Sequence, residues 1–146
     1  MGYVRRSSLP DGYFHVYTRG ICCVPPFPGD EDRTAALGLL FKAAARFELA
    51  IEAACVLSTH YHAVLLSACA QLSQAMQWFH SRYAKAFNRR HGRFGHVFAE
   101  RFQCRVIESE EYVYDACEYV LLNPVKAGLC ERVEDWPWSW SRYPVA

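Results

Sequence analysis

The pattern of apolar and polar positions predicts a chain in which short strands alternate with longer helices. Residues 13–18 are rich in aromatic and β-branched side chains and predict a first strand that ends at Arg19-Gly20. Two apolar runs, residues 51–57 and 61–67, are close enough in the chain to predict a strand pair joined by a tight turn. Residues 102–107 predict a fourth strand.

Apolar residues that recur every three or four positions predict three helices. The first covers about residues 33–47 and follows acidic residues, which favour a helix N-terminus. The second covers about residues 71–90. The third covers about residues 108–122 with Ser109 as its N-cap. Asn123-Pro124 is predicted to end this helix, because proline cannot donate the next backbone hydrogen bond.

The resulting order, β-α-β-β-α-β-α, is typical of the α+β class. It suits a ferredoxin-like sandwich with an antiparallel sheet and an appended helix. A length of 146 residues and a hydrophobic content of 52% fit a single domain, residues 1–146, with a substantial core. The aromatic segment 136–143 is predicted to pack onto this domain, with base stacking as the alternative.

Composition excludes several classes of protein. No apolar run approaches the roughly 18 residues of a membrane span, and the N-terminus leads into polar residues rather than a signal-peptide core. We therefore expect a soluble, cytoplasmic protein without a membrane partner. The seven cysteines are an odd number without C-x-x-C spacing, which predicts reduced thiols rather than a zinc knuckle or a disulfide framework.

Positive charge is concentrated in one part of a chain whose net charge is only +1. Residues 82–105 contain seven Lys or Arg and one acid, Glu100, while both flanking segments are acidic. This distribution is typical of a local polyanion site, although a solvated basic helix face would have the same composition. The glycine-bearing loop 90–96 could approach a phosphate backbone, and Phe94 and His96 could stack on bases, although Phe94 fits a core position equally well.

A histidine pair lies at the start of the second strand of the predicted hairpin, in residues 59–62 (Thr-His-Tyr-His). Side chains alternate between the two faces of a strand, so His60 and His62 would project together and could share a divalent metal. A polar face without metal is the alternative. His15 on the first strand has no evident partner and is interpreted as a structural histidine.

A set of short motifs occurs in a fixed order between residues 13 and 143. The motifs are Arg19-Gly20, residues 59–62, residues 92–98 (Gly-Arg-Phe-Gly-His-Val-Phe), Arg101-Phe102, residues 119–129 (Tyr-Val-Leu-Leu-Asn-Pro-Val-Lys-Ala-Gly-Leu) and residues 136–139 (Trp-Pro-Trp-Ser). In order and spacing they resemble those of the HUH single-tyrosine transposases, with the greatest likeness to the REP-associated tyrosine transposases of bacteria. The chain departs from that family in having Ser58-Thr59 where Pro-Asn usually precedes the first histidine.

The resemblance implies a nuclease that cuts and rejoins single-stranded DNA at or near hairpins during transposition. Tyr119 matches the nucleophile, which forms a 5′-phosphotyrosine, and His60 and His62 match the ligands of Mg²⁺ or Mn²⁺. Asn123 falls where the family places a polar third ligand, although the sequence alone favours a residue that caps or ends the helix before Pro124.

The expected partner is therefore single-stranded DNA with hairpins, and a homodimer is one of the assemblies that the resemblance allows. The candidate DNA-binding residues are Arg82, Lys85, Arg89, Arg90, Arg93, His96, Arg101 and Arg105. Two alternatives stay open: a catalytically silent hairpin-binding module, and a small metal-dependent hydrolase that uses the histidine pair with a bound water.

Overall fold

Five strands and three α-helices form the domain in the computed structural model, which describes residues 11–18, 25–67, 71–98 and 100–143. Arg19-Gly20 and the cysteines at 22, 23 and 69 lie outside the described residues. The elements are β1 (Gly12–Tyr17), α1 (Asp30–Arg46), β2 (Leu49–Val56), β3 (Tyr61–Ser67), α2 (Leu72–His91), β4 (Gln103–Ile107), α3 (Glu110–Lys126) and β5 (Ser139–Ser141), with a short 3₁₀ helix at Val133–Asp135.

The strands form one sheet in the order β4-β1-β3-β2-β5, and every neighbouring pair is antiparallel. A tight turn joins β2 to β3, closed by a 2.9 Å hydrogen bond from the Leu57 N–H to the His60 carbonyl. The predicted α+β fold with an antiparallel sheet is confirmed. The three-residue strand β5 was not predicted, because so short a segment carries no readable alternation.

The two faces of the sheet are covered by different helices. On one face α1 and α2 pack over a core that includes Phe14, Tyr61 and Phe79. On the other face α3 packs over a smaller core that includes Val64 and Cys117. We call these the α2 face and the α3 face. Side chains alternate between the two faces along a strand. Since Phe14 and Tyr61 point to the α2 face, the odd-numbered side chains of β1 and the even-numbered side chains of β3 belong to the α3 face.

Helix α3 does not end at Asn123-Pro124, so that prediction is wrong: the helix continues through Pro124 to Lys126. Proline costs about 3 kcal/mol inside a helix. Val120, Leu121 and Pro124 are all buried, and packing of this face onto the sheet offsets the lost backbone hydrogen bond. The chain leaves the helix at Gly128, whose φ of 75° lies in the left-handed region that terminates helices.

The C-terminal aromatic segment packs onto the domain, as predicted. The indole N–H of Trp136 donates to the Val56 carbonyl at 2.9 Å, and the indole N–H of Trp138 donates to Thr34 Oγ1 at 3.0 Å. These contacts hold β5 beside β2 at the edge of the sheet. The indole rings therefore serve the fold.

Among the cysteines in the described part of the chain, Cys55, Cys117 and Cys130 are free thiols. Burial raises the pKa of Cys55 to about 12 and that of Cys117 to about 11, so both stay protonated at neutral pH. Among the described residues no helix combines the length and the apolar character that crossing a bilayer requires.

Candidate active site

The histidine pair lies where the hairpin turn meets β3. The rings of His60 and His62 are 5.0 Å apart between centroids. His60 Nδ1 forms a 2.9 Å hydrogen bond with Thr59 Oγ1, and His62 is only 8% exposed. The strand alternation that predicted a shared face for the two imidazoles therefore holds.

His15 has a partner, and the interpretation as a structural histidine was incomplete. Its Nε2 forms a 2.9 Å hydrogen bond with Nδ1 of His62. The strand register explains the contact, because Tyr17 lies opposite His62 and His15 lies two residues earlier on the same face of β1. The two histidines are 47 positions apart in the chain, which hides this pair from any local sequence signal.

Burial keeps these imidazoles neutral. It lowers the pKa of His62 to about 3, with nearby His15 and His60 adding to the shift. Burial followed by the charge of Arg105 lowers the pKa of His15 to about 4, and burial lowers the pKa of His60. All three therefore favour the uncharged form at neutral pH, which is the form that can ligate a metal.

Helix α3 places Tyr119 against this cluster. The Tyr119 ring is 5.7 Å from the His15 ring and 5.8 Å from the His62 ring, yet the residue is 45% exposed. Lys126 Nζ lies 5.2 Å from the centre of the Tyr119 ring. Sequence reasoning did not select Lys126, although its offset of seven residues from Tyr119, two turns of a helix, could have indicated it.

A cleft of about 650 Å³ separates α3 from the sheet at this point. Tyr119 and the imidazoles of His15 and His62 line a space large enough for a phosphodiester and its sugars. Its lining residues are His15, Tyr17, His62, Arg105, Ile107, Glu108, Tyr112, Asp115, Ala116 and Tyr119.

Asn123 lies one helical turn after Tyr119 on α3 and is neither a cap nor a helix end. Its Nδ2 donates to the Tyr119 carbonyl at 2.8 Å. The carboxamide nitrogen is thereby used, and Oδ1 is the atom that could accept a further partner. Its assignment as a metal ligand stays a prediction.

The residues present fit a divalent metal in part. The hydrogen bonds of both histidines engage Nδ1, so Nε2 of each is the nitrogen that a metal would take. Among the residues that the structure describes, no cluster of three or more His, Cys, Asp or Glu forms a ready metal site. An amide oxygen or water would have to complete the ligand set of the histidine pair.

Most of the predicted DNA-binding residues lie away from this cleft. Arg105, on β4, lines it and lies over the ring of Tyr17 at 5.7 Å. Arg82, Lys85, Arg89 and Arg90 are on α2, which packs on the opposite face of the sheet. Arg93, His96 and Arg101 belong to the connection between α2 and β4. The structure thus separates the basic segment, except for Arg105, from the tyrosine.

Arg90 is held by an internal partner. Its guanidinium donates to Asp32, a carboxylate whose side chain is 3% exposed and which also contacts His91. Burial raises the pKa of Asp32, but hydrogen bonds from His91 and Arg90 outweigh that effect and hold the pKa below its usual range. The ion pair ties α2 to the first turn of α1, and a DNA contact by Arg90 stays a prediction.

Solved structures with this fold include DNA transposases. A REP-associated tyrosine transposase, bound to a REP hairpin, aligns with a TM-score of 0.76 over 95% of this chain and 82% of that chain, at 20% identity. A transposase candidate from Deinococcus radiodurans aligns with a TM-score of 0.54 over 82% of this chain and 95% of that chain, at 15% identity. The structure therefore confirms the resemblance to tyrosine transposases that the sequence motifs indicated.

The same fold also occurs in another kind of enzyme. The tRNA(His) guanylyltransferase of Saccharomyces cerevisiae aligns with a TM-score of 0.56 over 87% of this chain and 71% of that chain, at 15% identity. No family model and no curated protein matches the sequence. At these identities the likeness establishes the fold, and function has to be argued from the site.

Proposed function

We propose that this protein is a metal-dependent endonuclease and strand transferase that uses Tyr119 to cut and rejoin single-stranded DNA next to hairpins. The observation that carries the proposal is the position of Tyr119, a half-exposed phenol within 6 Å, ring to ring, of two neutral histidines, the buried His62 and the partly buried His15. The similarity to a transposase bound to a REP hairpin supports hairpin DNA as the partner. The resemblance of the sequence motifs supports the expected polarity of cleavage, in which the tyrosine is joined to a 5′-phosphate.

The reaction is a transesterification. The hydroxyl oxygen of Tyr119 attacks the phosphorus, its proton is released, and the bond from phosphorus to the 3′ oxygen breaks. The leaving 3′ oxygen takes up a proton, and the DNA 5′ end stays attached to the tyrosine as a phosphodiester. Because one phosphodiester replaces another, a 3′-hydroxyl can later reverse the step without ATP.

Positive charge near the tyrosine favours the transition state, in which negative charge accumulates on the phosphate oxygens. Lys126 and Arg105 supply fixed cationic groups, the first over the Tyr119 ring and the second from the cleft wall. His60, His62 and the amide oxygen of Asn123 would hold Mg²⁺ or Mn²⁺, which when bound would supply further charge and orient the phosphate.

His15 would fix the tautomer of its neighbour. If Nε2 of His62 is to ligate a metal, Nδ1 must carry the ring proton and donate it to Nε2 of His15. His15 then holds its own proton on Nδ1 and acts through Nε2 as the hydrogen-bond acceptor of His62. The pair is therefore organised for metal binding before the metal arrives.

The direct test is incubation with hairpin-bearing single-stranded DNA and Mn²⁺, followed by a denaturing gel. The proposal predicts a covalent protein–DNA adduct in the parent protein and none in Tyr119→Phe, which should still bind DNA. Cleaved DNA without an adduct would favour the hydrolase alternative. Binding without cleavage under any metal condition would favour a silent hairpin-binding module.

A further inference from the structure

Phe94 is a large apolar side chain that the fold leaves almost wholly in solvent. It is 96% exposed, and among the described residues no other large hydrophobic side chain exceeds 58%. The core alternative considered for Phe94 from the sequence is therefore excluded. Other phenylalanines, such as Phe14, Phe79 and Phe87, are buried.

The loop that carries Phe94, residues 92–96, is held in place by its own polar groups. The Asn88 side chain accepts from Arg93 Nη1 at 2.8 Å and donates to the Gly95 carbonyl at 2.9 Å. Arg93 Nη2 donates to the His96 carbonyl at 3.2 Å. These bonds close the loop on both sides of Phe94 without using its ring. The exposed ring is thus presented by an ordered loop.

Next to this loop a second cleft, of about 760 Å³, opens between α2 and the chain that leads to β4. Inside it the rings of His80 and Phe98 are stacked, 4.1 Å apart at an interplanar angle of 19°. His96 and Arg101 also line the cleft. Flat rings together with a cationic side chain are the features that bind an unpaired base and its phosphate.

The charge around the loop favours an anionic partner. Residues 82–105 carry seven Lys or Arg and one acid. Within this segment Arg90 is neutralised by Asp32, whereas Lys85 and Arg89 are exposed on the last turns of α2. An exposed aromatic ring among cations suits single-stranded nucleic acid better than an apolar protein surface.

The second cleft and the tyrosine site occupy the same end of the sheet on opposite faces. Gln103, the first residue of β4, pairs with Tyr17, and Tyr17 pairs with His62. The chain therefore passes directly from the second cleft to the level of the histidine pair. A single strand that crosses this end of the sheet could contact both places.

We infer that Phe94 stacks on an unpaired base of the DNA, and that Arg101 contacts an adjacent phosphate. This inference rests on the proposed function for the identity of the partner, single-stranded DNA. The stacking site lies on the α2 face, apart from the tyrosine, so it contributes to holding the DNA and not to the chemical step.

The test is equilibrium binding of a hairpin oligonucleotide with unpaired flanks that carry 2-aminopurine, measured without divalent metal so that no cleavage is needed. Phe94→Ala should weaken binding about 5- to 150-fold, the range for loss of one stacked base. Phe94→Trp should restore it. In the parent, 2-aminopurine fluorescence should be quenched on binding, and Phe94→Ala should remove the quenching.

Phe41→Ala is the matched control, since Phe41 is a partly exposed phenylalanine on α1. It should bind like the parent. Arg101→Ala should lower the log–log slope of affinity against salt by about 0.7, whereas Phe94→Ala should leave that slope unchanged. With an abasic flank, the difference between the parent and Phe94→Ala should disappear.

Equal affinity and equal quenching in the parent and Phe94→Ala would overturn the inference, and the ring would then serve a different partner. That result would leave adduct formation by Tyr119 intact. Conversely, weakened binding by Phe94→Ala in a protein that forms no adduct would support the stacking site and contradict the proposed chemistry. The two claims can therefore fail separately.

Discussion

The two faces of the sheet hold polar groups in different ways. On the α3 face, the buried His62 and the partly buried His15 are neutral and hydrogen-bonded to each other beneath a half-exposed tyrosine. On the α2 face, cations such as Lys85 and Arg89 extend into solvent. Chemistry at phosphorus requires fixed groups shielded from water, whereas holding a flexible polyanion requires accessible charge. Under the proposed function, the α3 face would react with DNA and the α2 face would retain it.

The largest effect should come from the histidines that face the tyrosine. His62→Gln removes a proposed metal ligand and should lower the rate of adduct formation by more than about 100-fold. This loss exceeds the one typical of a residue that only hydrogen-bonds to a metal ligand. His91→Gln is the control, because His91 lies on α2, on the opposite face of the sheet, where it contacts Asp32. Equal losses in both variants would abolish the distinction between the faces.

Replacement of His15 should have the next largest effect. His15→Phe removes the acceptor that fixes Nδ1–H of His62, and we expect Mn²⁺ affinity to fall about 10- to 100-fold. Calorimetry reports this directly, without any reaction. Tyr17→Phe is the control, because Tyr17 lies on the same face of β1 beside the same histidine. Unchanged Mn²⁺ affinity in His15→Phe would mean that the histidine pair is structural.

A smaller effect is expected at Asn123. Asn123→Ala keeps a good helix former inside α3 but removes the amide oxygen, so the Mn²⁺ concentration needed for cleavage should rise several-fold, roughly 3- to 10-fold if water replaces the oxygen. Asn123→Asp should retain metal binding. A titration of cleavage against Mn²⁺ decides the point. Wild-type metal dependence in the alanine variant would show that Asn123 serves only its hydrogen bond to the Tyr119 carbonyl.

The sequence predicted those parts of the molecule that depend on nearby residues. The hairpin around His60 and His62, the N-cap at Ser109 and the position of Tyr119 on a helix all follow from short patterns. The contact between His15 and His62 does not, because it depends on the register of β1 against β3. Contacts between distant residues appear only after the sheet is assembled.

The placement of α2 and the continuation of α3 through Pro124 also could not be predicted from the sequence, because both depend on contacts between distant residues. Which face of the sheet α2 covers depends on the path of the connections, so the basic segment could not be separated from the tyrosine in advance. Pro124 was expected to stop α3, but burial of that helix face outweighs the local rule. Both features depend on tertiary structure: the path of the connections places α2, and packing overrides the local preference at Pro124.

A further effect, separate from the reaction with DNA, is expected on stability. Because burial lowers the pKa of His80 to about 4, the unfolded chain, with a histidine pKa near 6.5, binds more protons than the folded chain between these values. This contribution is fully present above about pH 6.5 and is lost as the pH falls toward 4, by roughly 1 to 3 kcal/mol. The free energy of unfolding of His80→Gln should therefore fall less steeply than that of the parent between pH 7 and 4. Parallel curves would contradict the assignment.

The most direct test of the central claim is to locate the covalent bond. After reaction with a hairpin oligonucleotide and Mn²⁺, nuclease digestion and peptide mass spectrometry identify the residue that carries the nucleotide. Tyr112, which also lines the cleft, and Tyr114, which packs on Tyr143, are rivals on the same helix. We predict that the modified peptide carries the nucleotide on Tyr119 alone and that Tyr119→Phe yields no modified peptide. An adduct on Tyr112, on Tyr114 or on any other residue, or cleavage that persists in Tyr119→Phe, would contradict the account.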